Sequence, residues 1–255
     1  MSTESSDTFL VPEDAESLLG IPNLGFVPTI ENKDLRLMRD ARPFSPLVEA
    51  LRWLRTNLRF VAEQPLRSLA ITSAVPAEGK STLVANLAMA LALDGKRVLV
   101  VDTDLRRPRQ HTLFGLTATP GLVDLLTGTH EISEVVQPSG IDNISVICVG
   151  VAPPNPTELL GSEKMASSLA DLEKRYDTVL LDTSPFLAVA DAMLVTSLAQ
   201  GTLVVIGRGE TKKINVQKTL QLLNRAKATT LGTVFNRVPG PEGGYYYSPT
   251  DDPKA

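Results

Sequence analysis

The chain has 255 residues, 43% hydrophobic and 21% charged, enough to bury one substantial core at the upper edge of single-domain size. Its net charge of -4 lacks the basic surplus that nucleic-acid binding rests on, so no nucleic-acid partner is expected. The single cysteine, Cys148, excludes an internal disulfide; no stretch reaches the roughly 18 apolar residues that cross a bilayer, and MSTESSDTF lacks the basic-then-apolar order of a signal peptide.

Residues 1–45, rich in Ser, Glu, Asp and Pro with a short apolar piece from Leu18 to Val27, are expected to form a flexible or peripherally packed lead-in. Ser45 and Pro46 then open a helix over 46–62, in which Leu47, Leu51, Leu54, Leu58 and Val61 recur at spacings of four, three, four and three. That stripe should pack on the body and leave Glu49, Arg52, Arg55 and Arg59 largely outside. Strand patterns follow near 67–73, 97–102, 144–149, 178–182, 202–207 and 231–236, alternating with helix patterns near 80–94, 156–175, 187–199 and 211–228. Near-continuous Val, Leu and Ile in the strands predict an α/β fold with a mainly parallel sheet covered on both faces, and ligands beyond the carboxyl ends of its strands. Cys148, inside an apolar run, reads as a buried small side chain. The folded unit is expected over 46–238, followed by a flexible tail over 239–255.

Between Ala70 and Ala85 the sequence AITSAVPAEGKSTLVA passes from a strand pattern through a turn into a helix pattern. It meets GxxxxGK[ST] with Gly79, Lys80 and Ser81, Ala74 standing where the first glycine is usual. Gly79 lets backbone approach phosphate oxygens without a Cβ in the way, and successive N–H groups with the positive helix end favour the anion. Lys80 would sit on the β and γ phosphates and the Ser81 hydroxyl on magnesium. The fold is therefore P-loop NTPase-like and the ligand ATP or GTP with Mg2+, the nucleotide-binding set being Ala77, Glu78, Gly79, Lys80, Ser81 and Thr82. Lys80 is expected to face ligand and to lie outside the core.

RVLVVDTDLRRP and TVLLDTSP place Asp102, Asp104 and Asp182 where buried strands run out, so that three carboxylates would converge on the P-loop magnesium. The rival role for these aspartates is capping a neighbouring turn or helix. Near the end, PGPEGGYYYSP holds three of the chain's four tyrosines, Tyr245, Tyr246 and Tyr247. Exposed rings forgo a few kcal/mol of burial, which suggests that their hydroxyls are wanted, the alternative being an apolar anchor on a neighbour.

The three motifs SAVPAEGKST, VLVVDTDLRRP and VLLDTSP, the helix EALRWLRTNLRF, the segment NPTELLGS at Asn155–Ser162 and the terminal tyrosines together resemble the bacterial tyrosine kinase family, P-loop kinases that accompany capsule and exopolysaccharide export. The resemblance spans nearly the whole chain. It implies ATP and Mg2+ as cofactors, with Lys80 and Ser81 on phosphate and metal, Asp102 accepting the tyrosine proton, and Asp104 and Asp182 organising the metal. Asn236 and Arg237 are expected to line the adenine pocket. Glu49, Arg52 and Arg55 fall on the family's oligomerisation motif, which implies a homo-oligomeric ring, whereas a plain Glu49–Arg52 pair within the helix is the structural alternative. The tail tyrosines would be phosphorylated between subunits.

By the same resemblance the partners are protein tyrosines and a membrane-spanning activator, a polysaccharide co-polymerase subunit or domain. The chain would then work in the cytoplasm, at the inner face of the membrane, as a separate subunit or an excised domain. LLGIPNLGFVP at Leu18–Pro28 resembles the lead-in that joins the two in fused members. DTSP stands where DTPP is frequent, and the tyrosine run is short for the family. Dimer-switch ATPases of the ParA and MinD kind are the second reading, although Val75 occupies the place of their extra lysine. A nucleotide-binding scaffold without kinase activity is the third. The HRD and DFG signatures of eukaryotic kinases do not occur.

Overall fold

The computed structural model describes residues 7–30, 37–62 and 64–239. Ten α-helices and eight strands are found there: α1 Pro12–Leu19, β1 Asn23–Pro28, α2 Pro46–Val61, β2 Ser68–Ser73, α3 Lys80–Ala92, β3 Val98–Asp102, α4 Gln110–Phe114, α5 Leu122–Leu126, α6 Ile132–Val135, β4 Val136–Pro138, β5 Ile144–Ile147, α7 Pro156–Leu160, α8 Glu163–Arg175, β6 Thr178–Asp182, α9 Asp191–Leu198, β7 Gly201–Gly207, α10 Lys213–Arg225 and β8 Thr230–Val238. The strands make one sheet in the order β1-β8-β7-β2-β6-β3-β5-β4, in which only the β4–β5 pair is antiparallel. This is the mainly parallel, P-loop NTPase-like architecture expected from the alternating patterns.

Alternate residues of each central strand feed opposite cores, as a period of two requires. Leu69 and Ile71 of β2 join Leu203 and Val205 of β7 in a core closed by α2 and α3. Ala70 faces a second core with α5, α8 and α9, while Val204 and Ile206 face a third that includes Val216 and Leu223 of α10. Helix α3 is apolar nearly all round because it lies between the sheet and α2, and its run of Ala85, Ala88 and Ala90 lets it approach closely. On α2, Ser45 accepts a hydrogen bond from the Val48 N–H and Pro46 occupies the first turn. Leu47, Leu51, Leu54 and Leu58 are buried as their spacing predicts.

Several elements depart from the sequence patterns. Within residues 1–45 no strand was expected, yet Asn23–Pro28 pairs with β8 as a parallel edge strand. Before it, the Phe9 ring is buried edge-on against Phe235, with centroids 6.2 Å apart. The single helix expected over 156–175 is two, because Ser162 leaves helical geometry and caps α8 by accepting from the Met165 N–H. The helix expected from 187 starts at Asp191. Among the described residues no helix is long and apolar enough to cross a membrane.

Cys148 is buried, and that burial, with the Asp102 charge nearby, pushes its thiol up to about 12. It should therefore resist thiol reagents at pH 8 until the protein unfolds. At the sheet edge, an added Cβ on Gly232 would stand 2.5 Å from the Pro22 carbonyl oxygen and 2.8 Å from Leu24 Cγ. Gly232→Ala should push β1 off β8 at a cost of about 1–3 kcal/mol, read as a lower urea midpoint.

Candidate functional site

The loop between β2 and α3 is shaped by its own polar groups. Ser73 Oγ donates to the Val75 carbonyl at 2.8 Å, and the Val75 N–H donates to Glu78 Oε2 at 2.9 Å, folding the turn back on itself. Ala77 and Gly79 adopt left-handed backbone, with φ of 67° and 91°. The left-handed conformation favours glycine at 79, and an added Cβ would stand 2.0 Å from Asn236 Nδ2 and push that side-chain amide aside. Gly79 also precedes the first turn of α3 and supplies no side-chain cap, which leaves the first N–H groups and the positive helix end for an anion.

Glu78, expected in the nucleotide-binding set, turns its carboxyl away from that cradle. It is 1% exposed and accepts from the Val75 N–H and from the Thr211 hydroxyl just ahead of α10. Burial holds this carboxyl above the usual carboxylate range, opposed by the hydrogen bonds from Thr211, Val75 and Gly207. Asn236 Nδ2 donates to the Glu78 carbonyl at 2.8 Å, and the Arg237 guanidinium reaches the Ala77 carbonyl and Glu210. The end of β8 therefore braces the loop. Asn236 and Arg237 also line a cavity of about 290 Å³ with Pro28, Leu47, Thr82 and Asn86.

Lys80, expected outside the core, is only 8% exposed. Its Nζ lies 3.2 Å from Asp104 Oδ2, 3.6 Å from Asp182 Oδ1 and 3.5 Å from Ser81 Oγ. Burial works against its charge, but the Asp182 and Asp104 carboxylates outweigh that and raise its pKa. Two strand tips and the head of α3 thus bring Lys80, Ser81, Asp104 and Asp182 together.

Asp102, placed at the same strand tips, is turned differently. Its Oδ2 accepts from the Arg109 and Gln110 N–H groups at 2.8 and 2.9 Å, and its Oδ1 from the Asp104 N–H at 3.3 Å. The capping role weighed from the sequence is the one Asp102 occupies at the start of α4, so two carboxylates, not three, face Lys80. Burial, together with the Asp182 charge, pushes the Asp102 carboxyl up to about 8 against the Gln110 and Arg109 hydrogen bonds.

Among the described residues no three His, Cys, Asp or Glu side chains are grouped to hold a metal. A cation here would draw on Ser81, Asp104 and Asp182, with phosphate and water oxygens completing its shell. That all-oxygen, water-rich set suits magnesium. Asp182 Oδ1 supports the fit, being a buried oxygen with no hydrogen-bond partner among the described residues.

Contacts with no signal in the sequence complete the site. Gln110, fully buried on the five-residue α4, donates to Asp182 Oδ2 at 2.8 Å and to the Ser81 carbonyl at 3.1 Å. A helix so short shows no periodicity to read. Arg106, from the loop after β3, clasps buried Asp191 at 2.8 Å, and the Thr157 hydroxyl donates to the same carboxylate at 2.6 Å. The Arg106 loop is thereby tied to α7 and α9.

On α2 the Glu49–Arg52 pair forms within the helix at 2.7 Å, and Arg55 donates to the Ala90 carbonyl of α3 at 2.9 Å. The large apolar side chains that α2 leaves exposed are Trp53 at 64% and Phe60 at 84%. Tyr245, Tyr246 and Tyr247 lie outside the described residues. Tyr176 lines a groove of about 560 Å³ just before β6, at the opposite end of the sheet from Asp182.

Residues 67–230 match the AAA domain family. Tyrosine-protein kinase YwqD of Bacillus subtilis (strain 168) is 39% identical over 211 residues, covering 81% of this chain and 89% of that protein. Tyrosine-protein kinase wzc of Salmonella typhimurium is 37% identical over 220 residues, which are 84% of this chain but 31% of the longer protein. The kinase domain of Escherichia coli tyrosine kinase ETK superposes with a TM-score of 0.85 at 33% identity, covering 94% of this chain and 99% of that domain.

Replacing Lys80 by Met leaves the Asp104 and Asp182 carboxylates without their shared counter-charge in a buried site. The variant should lose stability, up to about 3–5 kcal/mol, by urea unfolding at neutral pH. An unchanged midpoint would show that Lys80 carries no structural share of the site.

Proposed function

The chain belongs to the bacterial tyrosine kinase family, and from that premise we propose that it transfers the γ-phosphoryl group of ATP to protein tyrosines, its own Tyr245, Tyr246 and Tyr247 among them. The observation that carries this reading is the convergence of Lys80, Ser81, Asp104 and Asp182 within 3.6 Å of the Lys80 ammonium at the head of α3. A glycine cradle with free helical N–H groups stands immediately ahead of it.

Phosphoryl transfer through a loose transition state asks mainly for alignment and charge neutralisation. The N–H groups after Gly79 hold the phosphates, and Lys80 moves from its carboxylate partners onto the β and γ oxygens. Ser81, Asp104 and Asp182 would hold Mg2+, which when bound neutralises the phosphate charge. Asp102 accepts the phenolic proton at Oδ1, where its one hydrogen bond among the described residues is the long one from the Asp104 N–H. Because Asp102 is wholly enclosed, the Asp104 segment has to shift as the phenol enters. The cavity beside Asn236 takes the base, with Ala77 and Thr82 flanking the phosphates.

The catalytic unit in this proposal is 46–238, with 1–45 as a lead-in that contributes β1 and 239–255 as the tail that carries the acceptors. Glu49, Arg52 and Arg55 present α2 to a neighbouring copy, Trp53 and Phe60 supplying apolar area, so that tails are phosphorylated between subunits of a closed ring. A membrane-spanning co-polymerase is the partner that recruits the chain to the cytoplasmic face of the membrane, in the control of capsule or exopolysaccharide export. The dimer-switch alternative is disfavoured by Val75 in the place of the second lysine. A silent scaffold would bind nucleotide and transfer nothing.

Changing Tyr245, Tyr246 and Tyr247 together to Phe should abolish label from γ-labelled ATP while leaving nucleotide binding intact. Tyr176 is half-buried in the groove ahead of β6, without the freedom of a tail, and should stay unlabelled. Persistent label on the triple variant would place the acceptor elsewhere. Transfer between subunits predicts that the initial rate per enzyme falls on hundredfold dilution; a constant rate would contradict it.

A further inference from the structure

Gln110 joins all three segments of the proposed site through one residue. Its backbone N–H donates to Asp102 Oδ2 at 2.9 Å, and its side-chain Nε2 donates to Asp182 Oδ2 at 2.8 Å and to the Ser81 carbonyl at 3.1 Å. Both side-chain neighbours are acceptors only, so the amide nitrogen is the atom that must face them. Nothing in the nucleotide chemistry so far described uses this residue, yet it is 0% exposed; its Nε2 has both hydrogen bonds met, while its Oε1 finds no partner among the described residues.

We infer that Gln110 is a positioning residue for the magnesium site, fixing Asp182 and the first turn of α3 as a single metal-binding face. The inference rests on the proposed nucleotide–magnesium reading and adds a residue to it. A carboxylate held at one oxygen by a donor is fixed in orientation and turns its other oxygen to the site. With Oδ2 held by Gln110, Asp182 turns Oδ1 to the site, the buried oxygen that lacks a hydrogen-bond partner among the described residues and lies 3.6 Å from Lys80 Nζ. The same amide steadies Ser81 through its carbonyl, so the hydroxyl and the carboxylate intended for one cation share one donor. Hydrogen-bonded supports of this kind orient metal ligands and tune affinity by about 10–100-fold.

A glutamate at this place could not do the same, since its carboxylate would face Asp182 and the Ser81 carbonyl without a proton to give. Simple packing is also insufficient, because an apolar side chain of equal length would fill the space and leave Asp182 Oδ2 unpaired. Gln110 is itself anchored, its own N–H lying on Asp102 at the start of α4. A loop movement that frees Asp102 would therefore loosen Asp182 as well, linking the proton-accepting and metal-holding strand tips.

The test is calorimetric titration of the full chain with ADP, in chelator and in magnesium, for wild type, Gln110→Met and Gln110→Asn. Wild type should bind ADP more tightly with magnesium. Gln110→Met should lose about ten-fold or more of that magnesium-dependent gain with metal-free ADP affinity unchanged, and raise the magnesium needed for half-maximal autophosphorylation by a similar factor. Gln110→Asn, an amide one methylene short, should fall between the two and carries the test if the Met variant does not fold. Wild-type protein that gains nothing from magnesium would overturn the site reading itself. A wild-type gain that the folded variants retain, or an equal loss with and without metal, would overturn only the role given to Gln110.

Discussion

The arrangement turns on one buried ammonium. Lys80 sits where the head of α3 meets the tips of β3 and β6, within 3.6 Å of two carboxylates and nearly out of water. None of the three charges would be tolerable there alone. Parallel strands bring Asp102 and Asp182 into register as direct neighbours, Asp104 follows two residues on, and α3 starts one turn after β2. The chemistry of the site is thus a consequence of where parallel strands end, which in this fold is also where helix N-termini gather. An incoming polyphosphate offers Lys80 a stronger set of oxygens, and a cation offers the carboxylates a replacement counter-charge.

The loop that cups the phosphates owes its shape to residues far along the chain. Glu78 spends its carboxyl on Val75 and Thr211, and Asn236 and Arg237 hold the loop's carbonyls from the end of β8. The edge strand β1 lies on β8 in turn, so the lead-in supports the loop at second hand. Bracing of this sort keeps the strained left-handed backbone at Ala77 in place.

What the sequence made legible was whatever left a period or a motif. The stripe on α2, the central strands and the glycine turn before Lys80 could be read because burial there is continuous and the turn chemistry specific. Asn23–Pro28 escaped because Gly25 and Pro28 weaken a strand pattern that only edge pairing rescues. α4, α5 and α6, at four or five residues, are too short to show a helical period. At the site, the aspartates were found as strand-end carboxylates, but their division of labour was not. Which carboxyl faces the lysine and which caps a neighbour depends on backbone N–H groups at Arg109 and Gln110 that have no mark in the sequence.

The central claim is that this cluster moves a phosphoryl group onto tyrosine. Intact-mass measurement after incubation with Mg-ATP, followed by mapping of the modified peptides, addresses it most directly. The account predicts whole phosphate additions confined to the peptide carrying Tyr245, Tyr246 and Tyr247. Unmodified mass from folded protein that binds Mg-ATP, alone and with the cytoplasmic segment of the proposed membrane partner, would contradict it.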